Sequence, residues 1–479
     1  MKSLVWFRSD LRLEDNPALF HACRDSAAGL IAVFLTSSNQ WRSHDWGPRK
    51  LAYALQSLEN LGKDLAAIGI PLVIEEAPGF SDAPQALEEL LERHGCKALY
   101  FNREYEFNEI SRDEAVTARL RRRGIEVRDF DDQMIVEPGT LRTQKGEPYS
   151  VFTPFWRNWS KHLESQSPSP LPRPAPQATE FLLDFRLPEF AAAPSTPSHT
   201  DSERAVGETA GKQRLTTFLA QAASGYHRFR DDPSAKGTSR LSAALAVGAL
   251  SARTCLDQAI RASDGLLTGR SEGVQAWIRQ LAWRDFYRQV LISFPRVSRG
   301  RSFLAWTDRV EWRDSADDLE AWRDGRTGVP LVDAGMRQLR ETGWLHNRVR
   351  MVTAMYLAKD LLLDWRQGEA HFMRQLVDGD FANNNGGWQW SASTGVDAAP
   401  YFRIMNPWTQ GKRFDPRGEY IKTWVPELGE VSSSNLHDPK KLSKLITVGL
   451  AYPEPLVDHQ VARIRAVTAF ERAKAPRTP

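Results

Sequence analysis

Residues 4–12, LVWFRSDLR, join a short apolar run to a charged turn, and this pattern decides the fold of the first third of the chain. The run Leu4–Phe7 has the length and composition of a fully buried β-strand. The next stretch, Pro17–Arg24, is amphipathic and has the period of a helix. A strand followed by a helix is the building unit of a parallel sheet.

The same unit recurs along residues 1–132. Further strands are predicted at Leu30–Leu35, Leu72–Ile74, Ala98–Phe101 and Val127–Phe130, and further helices at Arg49–Ile68, Pro84–His94 and Glu109–Arg123. This alternation predicts an α/β domain built on a doubly wound parallel sheet with helices on both faces. The turn Phe7–Arg12 lacks the glycine fingerprint of a dinucleotide-binding loop, so we do not expect this domain to bind NAD or FAD in the Rossmann manner.

A change of composition separates this domain from the remainder of the chain. Residues 167–176, SPSPLPRPAP, carry too few apolar side chains to form a core, and we predict an interdomain connector over residues 133–206. Residues 207–479 have helical period in nearly every segment, which predicts an all-α C-terminal domain. The predicted helices are Ala210–Ala223, Ala252–Ala262, Glu272–Phe294, Pro330–Glu341, Arg348–Leu363 and Glu369–Val377.

The composition is that of a large intracellular enzyme. A chain of 479 residues exceeds the usual size of one core. The N-terminus reaches Arg8 before any apolar run of signal-peptide length, and the best apolar span, Val352–Leu363, is broken by two charges. The three cysteines lack metal-binding spacing. We expect a cytoplasmic monomer without a membrane partner or bound metal. Because the net charge is only +3, any affinity for nucleic acid must come from a local patch.

The stretch from Asp378 to Trp390, DGDFANNNGGWQW, predicts a ligand site. Two carboxylates, three consecutive amides, two glycines and two indoles fit neither the helical period nor the alternation of a strand. Carboxylates and amides can bind the hydroxyls or ring N–H groups of a large cofactor, and glycines let the backbone approach a flat ring.

Three other segments have a similarly polar composition. In Gly237–Ser242, GTSRLS, the backbone N–H groups of a helix start and two hydroxyl side chains would suit a phosphate, although the same residues could form a simple N-cap. Trp277, Gln280 and Arg284 share one helix face and would be costly to bury without a polar partner. The third segment is GWLHNRVRM, residues 343–351.

Together these motifs resemble the DNA photolyase/cryptochrome family, and most closely class I bacterial photolyases that repair cyclobutane pyrimidine dimers. The resemblance runs from VWFRSDLR at residues 5–12 to PYFRIMNP at residues 400–407 and is weakest in the Pro/Ser-rich connector. It implies an antenna domain followed by a helical domain that holds a U-shaped FAD. It also implies light-driven electron transfer from reduced FAD to a dimer that is flipped out of UV-damaged DNA.

The resemblance assigns residues to the FAD. Asp378 and Asp380 would face the ribityl chain and isoalloxazine, and Asn384 would lie opposite flavin N5, where an amide favours reduced flavin. The other FAD contacts that it implies are Tyr226, Thr238, Ser239, Arg240, Leu241, Ser242, Trp277, Arg284, Asn347 and Gly379.

Electron transfer and DNA binding are assigned in the same way. Trp312, Trp365 and Trp388 resemble the tryptophan chain that carries an electron from the surface to excited flavin, although from sequence alone they could be core residues. The lesion pocket would be lined by Gln280, Trp283, Asn347, Met351 and Trp390, while Arg230, Arg348, Arg403 and Gln410 would lie near DNA phosphates.

An antenna chromophore is implied in the first domain. His44, Asn108 and Glu109 resemble contacts of 5,10-methenyltetrahydrofolate, and Arg299 stands where the family often has lysine. The alternative antenna is 8-hydroxy-5-deazaflavin.

One residue departs from the pattern of dimer-specific enzymes. Gln280 stands where these usually have Glu, whereas (6-4) photolyases and animal cryptochromes commonly have Gln. His346-Asn347-Arg348 followed by Met351 favours the dimer-specific class, and the resemblance implies that this chain lacks the catalytic histidine that (6-4) enzymes place in this region. A (6-4) photolyase and a signalling cryptochrome are the alternatives, and the short tail after Pro455 favours the enzyme.

Overall fold

The computed structural model describes residues 1–177, 205–267, 269 and 271–475. These residues form two compact units, each made of several chain segments. The first unit comprises Met1–His227, Ser239–Pro295 and Val377–Asp380, and the second comprises Arg228–Thr238, Arg296–Leu376 and Phe381–Pro479. These limits do not coincide with the predicted boundaries at residues 132 and 206, and the functional domain division stays a prediction.

The first unit is built on a five-stranded parallel sheet. Its strands are β1 Ser3–Phe7, β2 Leu30–Thr36, β3 Leu72–Glu76, β4 Ala98–Asn102 and β5 Glu126–Phe130. Their order is β3-β2-β1-β4-β5, and every pairing is parallel, with Val5 opposite Ala32 on one side and Tyr100 on the other. The predicted doubly wound sheet is confirmed.

Helices cover both faces of the sheet. The helices of this part are α1 Pro17–Asp25, α2 Ser38–Ser43, α3 Pro48–Ala67, α4 Ala83–Arg93 and α5 Phe107–Arg122. Leu4 and Trp6 of β1 pack with apolar residues of α4 and α5 in one core cluster. Helices α1 and α3 contact the sheet but contribute nothing to that cluster, so they cover the opposite face, toward which Val5 and Phe7 point.

The first unit also contains helices that follow the sheet. They are α6 Phe152–Ser165, α7 Glu208–Gln221, the start of α8 Tyr226–Phe229, α9 Ser242–Ala246, α10 Ala252–Arg261 and α11 Glu272–Ser293, with a 3₁₀ turn at Ala223–Gly225. Helix α6 lies within the predicted connector. It is amphipathic and buries Phe152, Phe155 and Trp159, and these aromatic residues explain why this segment is ordered.

The second unit is helical. It contains α12 Ala316–Asp324, α13 Pro330–Thr342, α14 Asn347–Met355, α15 Trp365–Gln375, α16 Phe381–Ala392, α17 Pro407–Phe414, α18 Glu419–Trp424, α19 Ser433–Leu436, α20 Pro439–Thr447 and α21 His459–Lys474. Short 3₁₀ helices lie at Val297–Arg299, Ala305–Arg309 and Pro426–Leu428. The predicted all-α character of the C-terminal part is confirmed. Among the described residues, no helix is both long and apolar enough to cross a membrane.

Two sequence predictions in this unit were wrong in detail. The helix predicted at Arg348–Leu363 continues after α14 as a π-helix, Tyr356–Asp360, and ends before Leu362, whose φ of 53° is left-handed. The stretch 381–392 was predicted to have no helical period, yet it forms α16. Its polar side chains are bonded to neighbouring segments of the unit, and these tertiary contacts offset the poor helix propensity of Asn and Gly.

Candidate functional site

The predicted site residues are divided between the two units. In the first unit, Phe218 of α7 brings together two of the residues assigned to FAD. Its ring contacts Trp277 of α11 at a centroid distance of 5.2 Å and Tyr226 at 5.9 Å. Trp277 and Tyr226 are both buried. Nearby in sequence, the short helix α9 begins at Ser242, and its N-cap Leu241 supplies no side-chain acceptor to the first turn.

Arg284 is a buried cation on α11. Its Nη2 donates to the carbonyl oxygen of Leu245 at 3.4 Å, and Nη1 donates to the carbonyl oxygen of Gln133. No carboxylate in the described part of the chain lies within ion-pair distance of this guanidinium, and burial lowers its pKa to about 10. A buried guanidinium held only by carbonyls fits an anionic ligand such as a phosphate of FAD.

Asp285 fixes the position of this part of α11. Its buried carboxylate accepts hydrogen bonds from Trp159 Nε1 at 3.0 Å and from the backbone of Ile135 and Val136 at 3.1 and 3.2 Å. The neighbouring Trp283 stacks on Phe152 with a centroid distance of 3.7 Å and an interplanar angle of 7°. Phe152 was not among the predicted site residues. The aromatic composition of α6 is the sequence feature that could have identified it.

The Asp378–Asp380 segment belongs to the same unit. Asp378 is buried, and Asp380 accepts a hydrogen bond from Nη2 of Arg288, four residues after Arg284 on α11. Nη1 of Arg288 is buried and has no partner among the described residues. A buried N–H without an acceptor is costly, so this nitrogen also fits a polar ligand. Arg288 was missed by the sequence reasoning, although its i+4 spacing from Arg284 was visible.

Asn384 lies on α16 in the second unit and is held by α15. Its Nδ2 donates to the carbonyl oxygen of Glu369 at 3.1 Å. The Glu369 carboxylate accepts from Nδ2 of Asn385 at 2.8 Å, and Asn385 in turn accepts from Nε2 of Gln389 at 2.9 Å. Gln389 also accepts from the backbone N–H of Phe303 at 2.8 Å. This chain of side-chain amides fixes the face of α16 that carries Asn384.

The three predicted electron-transfer tryptophans all lie in the second unit. Trp365 and Trp388 are almost completely buried, whereas Trp312 is only partly buried. Trp388 packs edge-on against Phe372 at 4.9 Å and against Trp322 at 6.0 Å. Nε1 of Trp365 and of Trp388 has no hydrogen-bond partner within the described ranges. Indoles buried without a polar partner are held by packing, and their place in an electron path stays a prediction.

The residues assigned to the antenna converge in the first unit. Nδ1 of His44 lies 3.2 Å from Oε1 of Glu109, and Nδ2 of Asn108 lies 3.0 Å from Nε2 of His44. Burial lowers the pKa of His44 to about 4 and raises that of Glu109 well above its ordinary value. Oε2 of Glu109 is buried without a partner in the described residues. Arg299 belongs to the second unit, in the turn Val297–Arg299.

The residues assigned to DNA are partly engaged within the second unit. The sulfur of Met351 lies 3.9 Å from Nδ2 of Asn347 and 3.9 Å from Nη1 of Arg348, which places three of them together on α14. The Arg348 guanidinium also bonds Asp231 at 2.9 Å. Arg403 is exposed, and Gln410 lies on α17. Gln280, in the first unit, donates to the carbonyl oxygen of Ala276 at 3.0 Å.

Family models match both the N-terminal and the C-terminal part of the chain. Residues 3–177 match the family model described as DNA photolyase, and residues 277–472 match the one described as the FAD binding domain of DNA photolyase. A protein from Escherichia coli named deoxyribodipyrimidine photo-lyase is 43% identical over 471 residues, which are 98% of either chain. The protein of the same name from Salmonella typhimurium is 44% identical over the same length. The chain belongs to the DNA photolyase family.

Solved structures of photolyases and cryptochromes share the fold of this family member. A bacterial class III photolyase from Agrobacterium tumefaciens has a TM-score of 0.86 at 34% identity, with 99% of this chain and 98% of that one covered. A cryptochrome from Synechocystis has the same TM-score of 0.86 at 27% identity, with 98% and 99% covered. The photolyase fold alone therefore does not separate repair from signalling.

Proposed function

We propose that this protein is a deoxyribodipyrimidine photo-lyase that uses light to split cyclobutane pyrimidine dimers in DNA. The observation that carries the proposal is its 43% identity to the Escherichia coli enzyme of that name across 98% of both chains. Two buried groups support a bound cofactor: the guanidinium of Arg284, which is held only by carbonyl oxygens, and Nη1 of Arg288, which has no partner among the described residues, are each suited to oxygen atoms of a phosphate or flavin.

FAD would be held by the residues that the family resemblance assigns to it. When bound and reduced, FAD supplies the electron that splits the cyclobutane ring after excitation by blue light. Arg284 would neutralise anionic oxygens of the cofactor, and Asp378 and Asp380 would accept hydrogen bonds from its N–H and hydroxyl groups. Asn384 would present an amide to flavin N5. Trp388, Trp365 and Trp312 would form the path by which an electron from an external donor reaches the cofactor.

The lesion is bound by residues that stack on bases and residues that donate hydrogen bonds. Trp283 and Trp390 stack on the extruded bases, a contact typically worth about 1–3 kcal/mol for each base. Gln280 would donate an amide N–H to a pyrimidine carbonyl on which negative charge develops, and Asn347 and Met351 are further residues that the family resemblance assigns to the lesion. Arg230, Arg348, Arg403 and Gln410 bind the strand's phosphates.

Repair of defined lesions tests the proposal. The reduced protein is illuminated with oligonucleotides that carry either a cyclobutane thymine dimer or a (6-4) photoproduct, and restored thymines are counted by chromatography. We expect the dimer alone to be repaired, and the Gln280→Glu variant to keep that preference. Repair of the (6-4) product alone would establish the first alternative; tight FAD binding with no repair of either lesion would favour a cryptochrome.

The antenna that we propose is 5,10-methenyltetrahydrofolate, with His44, Asn108 and Glu109 as its contacts and Arg299 as a further residue that the family resemblance assigns to it. A pterin ring offers adjacent N–H donors, and these would satisfy the partnerless Oε2 of Glu109. The alternative, 8-hydroxy-5-deazaflavin, has a separate candidate location beside Phe34, Trp41 and Trp46, which line a small, mostly apolar cavity of the first unit.

Reconstitution separates these two antennas. Glu109→Gln should reduce the amount of bound folate, whereas Glu114→Gln, on an exposed position of the same helix, should not. Retention of a deazaflavin and no binding of folate by the unsubstituted protein would contradict the assignment.

A further inference from the structure

The guanidinium of Arg348, which we assign to a DNA phosphate, forms an ion pair with Asp231. Nη2 and Nε of Arg348 both point to a single oxygen, Oδ1 of Asp231, at 2.9 and 3.3 Å. Both residues belong to the second unit, although 117 positions separate them along the chain. Their side chains retain partial exposure, 18% for Arg348 and 34% for Asp231, so a ligand from solvent can reach the pair.

Two further guanidinium groups, those of Arg230 and Arg413, lie near this ion pair. Oδ1 of Asp231 also lies 3.9 Å from Nε of Arg230. The Arg348 guanidinium lies over the ring of Phe414, 4.4 Å from its centroid, and the Arg413 guanidinium lies 5.0 Å from the same centroid. Stacking on the ring fixes the plane of Arg348 and directs its Nε–Nη2 edge toward Asp231.

That edge is the part of a guanidinium that binds phosphates. Two parallel N–H groups match two oxygens of a phosphate or carboxylate, but here both converge on one oxygen. A phosphate could give each N–H its own acceptor. The arrangement therefore holds Arg348 in a binding conformation, with a replaceable partner in the place of the ligand.

We propose that Asp231 stands in for a DNA phosphate in the free protein and competes with the strand for Arg348. The inference rests on the proposed function, because it takes the occupant to be a nucleic-acid backbone. Partly exposed ion pairs are weak, so the carboxylate lowers affinity without blocking binding. Any strand has to displace it, whether damaged or not, and Asp231 therefore weakens retention on the excess of undamaged DNA.

The test compares Asp231→Asn with a matched control. Dissociation constants are measured in the dark for a single-stranded oligothymidylate and for the same strand with one cyclobutane dimer. We expect Asp231→Asn to tighten binding of both about two- to fivefold. Asp232→Asn makes the same charge change one residue away, but its carboxylate accepts from Ser234 at 2.9 and 2.7 Å, so it should give a clearly smaller gain.

A double-mutant cycle supplies the decisive comparison. In an Arg348→Gln background, Asp231→Asn should tighten DNA binding no more than Asp232→Asn does, because the guanidinium for which Asp231 and DNA compete is absent. Equal gains from the two single variants, or a gain that persists without Arg348, would overturn the inference. FAD content and thermal unfolding of each variant establish that the fold is kept. Failure of the proposed function would instead appear as absent repair by the unsubstituted protein, whatever the binding data show.

Discussion

The side-chain amide of Asn384 donates to the backbone carbonyl oxygen of Glu369 across 3.1 Å, and this bond decides which end of the amide is presented. With Nδ2 engaged, Oδ1 is the atom of the amide that can accept a hydrogen bond. If Asn384 faces flavin N5, as we propose, this acceptor would pair with the protonated N5 of the reduced cofactor. The orientation of the amide is the one expected for that role.

Asn385→Ala should weaken that orientation. The variant removes the donor that holds the Glu369 carboxylate and leaves Nε2 of Gln389 with only the carbonyl oxygen of Arg301 at 3.3 Å, at a cost of about 1–3 kcal/mol in unfolding free energy. Reduced flavin should reoxidise faster in air, as followed by flavin absorbance. Ser391→Ala is the control, because it removes only a bond to Gly387 within the same helix. Lower stability with unchanged reoxidation would mean that the amide chain is purely structural.

Trp388→Phe should keep FAD bound and abolish most of its photoreduction. Phenylalanine preserves the contact with Phe372 and sacrifices no hydrogen bond, because Nε1 of Trp388 has none among the described residues. Flavin reduction is measured under blue light with an external donor, and repair is measured after chemical reduction. Trp322→Phe, an equally buried neighbour, should still photoreduce. If Trp388→Phe photoreduced as fast as the unsubstituted protein, the electron path would lie elsewhere.

Asp380→Ala should lower both FAD content and stability, and a compensated variant can separate the two effects. Removing the partner of the buried Arg288 leaves an uncompensated charge, at about 3–5 kcal/mol. Replacing both members, Arg288→Met with Asp380→Leu, should recover much of the thermal stability. FAD content should nevertheless stay low if Asp380 or Arg288 contacts the cofactor. Full FAD occupancy in the double variant would show that these two residues form a structural ion pair only.

His44 should make the folded protein sensitive to mild acid. Burial lowers its pKa to about 4, whereas the unfolded chain has the ordinary value of about 6.5. Between about pH 6.5 and pH 4, His44 is protonated in the unfolded state but neutral in the folded state. The free energy of unfolding therefore falls as the pH falls. The contribution of His44 is about 2 kcal/mol between pH 7 and pH 5. His44→Asn should make urea-unfolding curves less dependent on pH over this range.

His371→Asn is the matched control, since burial lowers the pKa of His371 to about 4 as well. It should reduce the pH dependence similarly but leave folate binding intact, whereas His44→Asn should lose folate. A His44 variant with the same pH dependence as the unsubstituted protein would show that this imidazole titrates normally in the fold.

Local sequence determined the sheet and most helices of this protein. Strands such as Leu30–Thr36 are buried along their whole length, and an unbroken apolar run has few other stable arrangements. The amphipathic period of segments such as Pro48–Ala67 likewise specifies a helix with one buried face. The motifs shared with the family also identified residues such as His44 and Glu109, which the structure brings together.

Only the tertiary structure decided the conformation of residues 381–392 and the partners of their polar groups. Their amides and glycines disfavour a helix locally, and α16 forms because Asn385 and Gln389 bond to segments elsewhere in the unit. Trp388 also requires Gly368, where a Cβ would lie 2.0 Å from its ring. The sequence likewise did not predict the ion pair between Arg348 and Asp231. Hydrogen bonds and ion pairs between distant residues depend on how the chain is folded, and no local pattern of residue types records them.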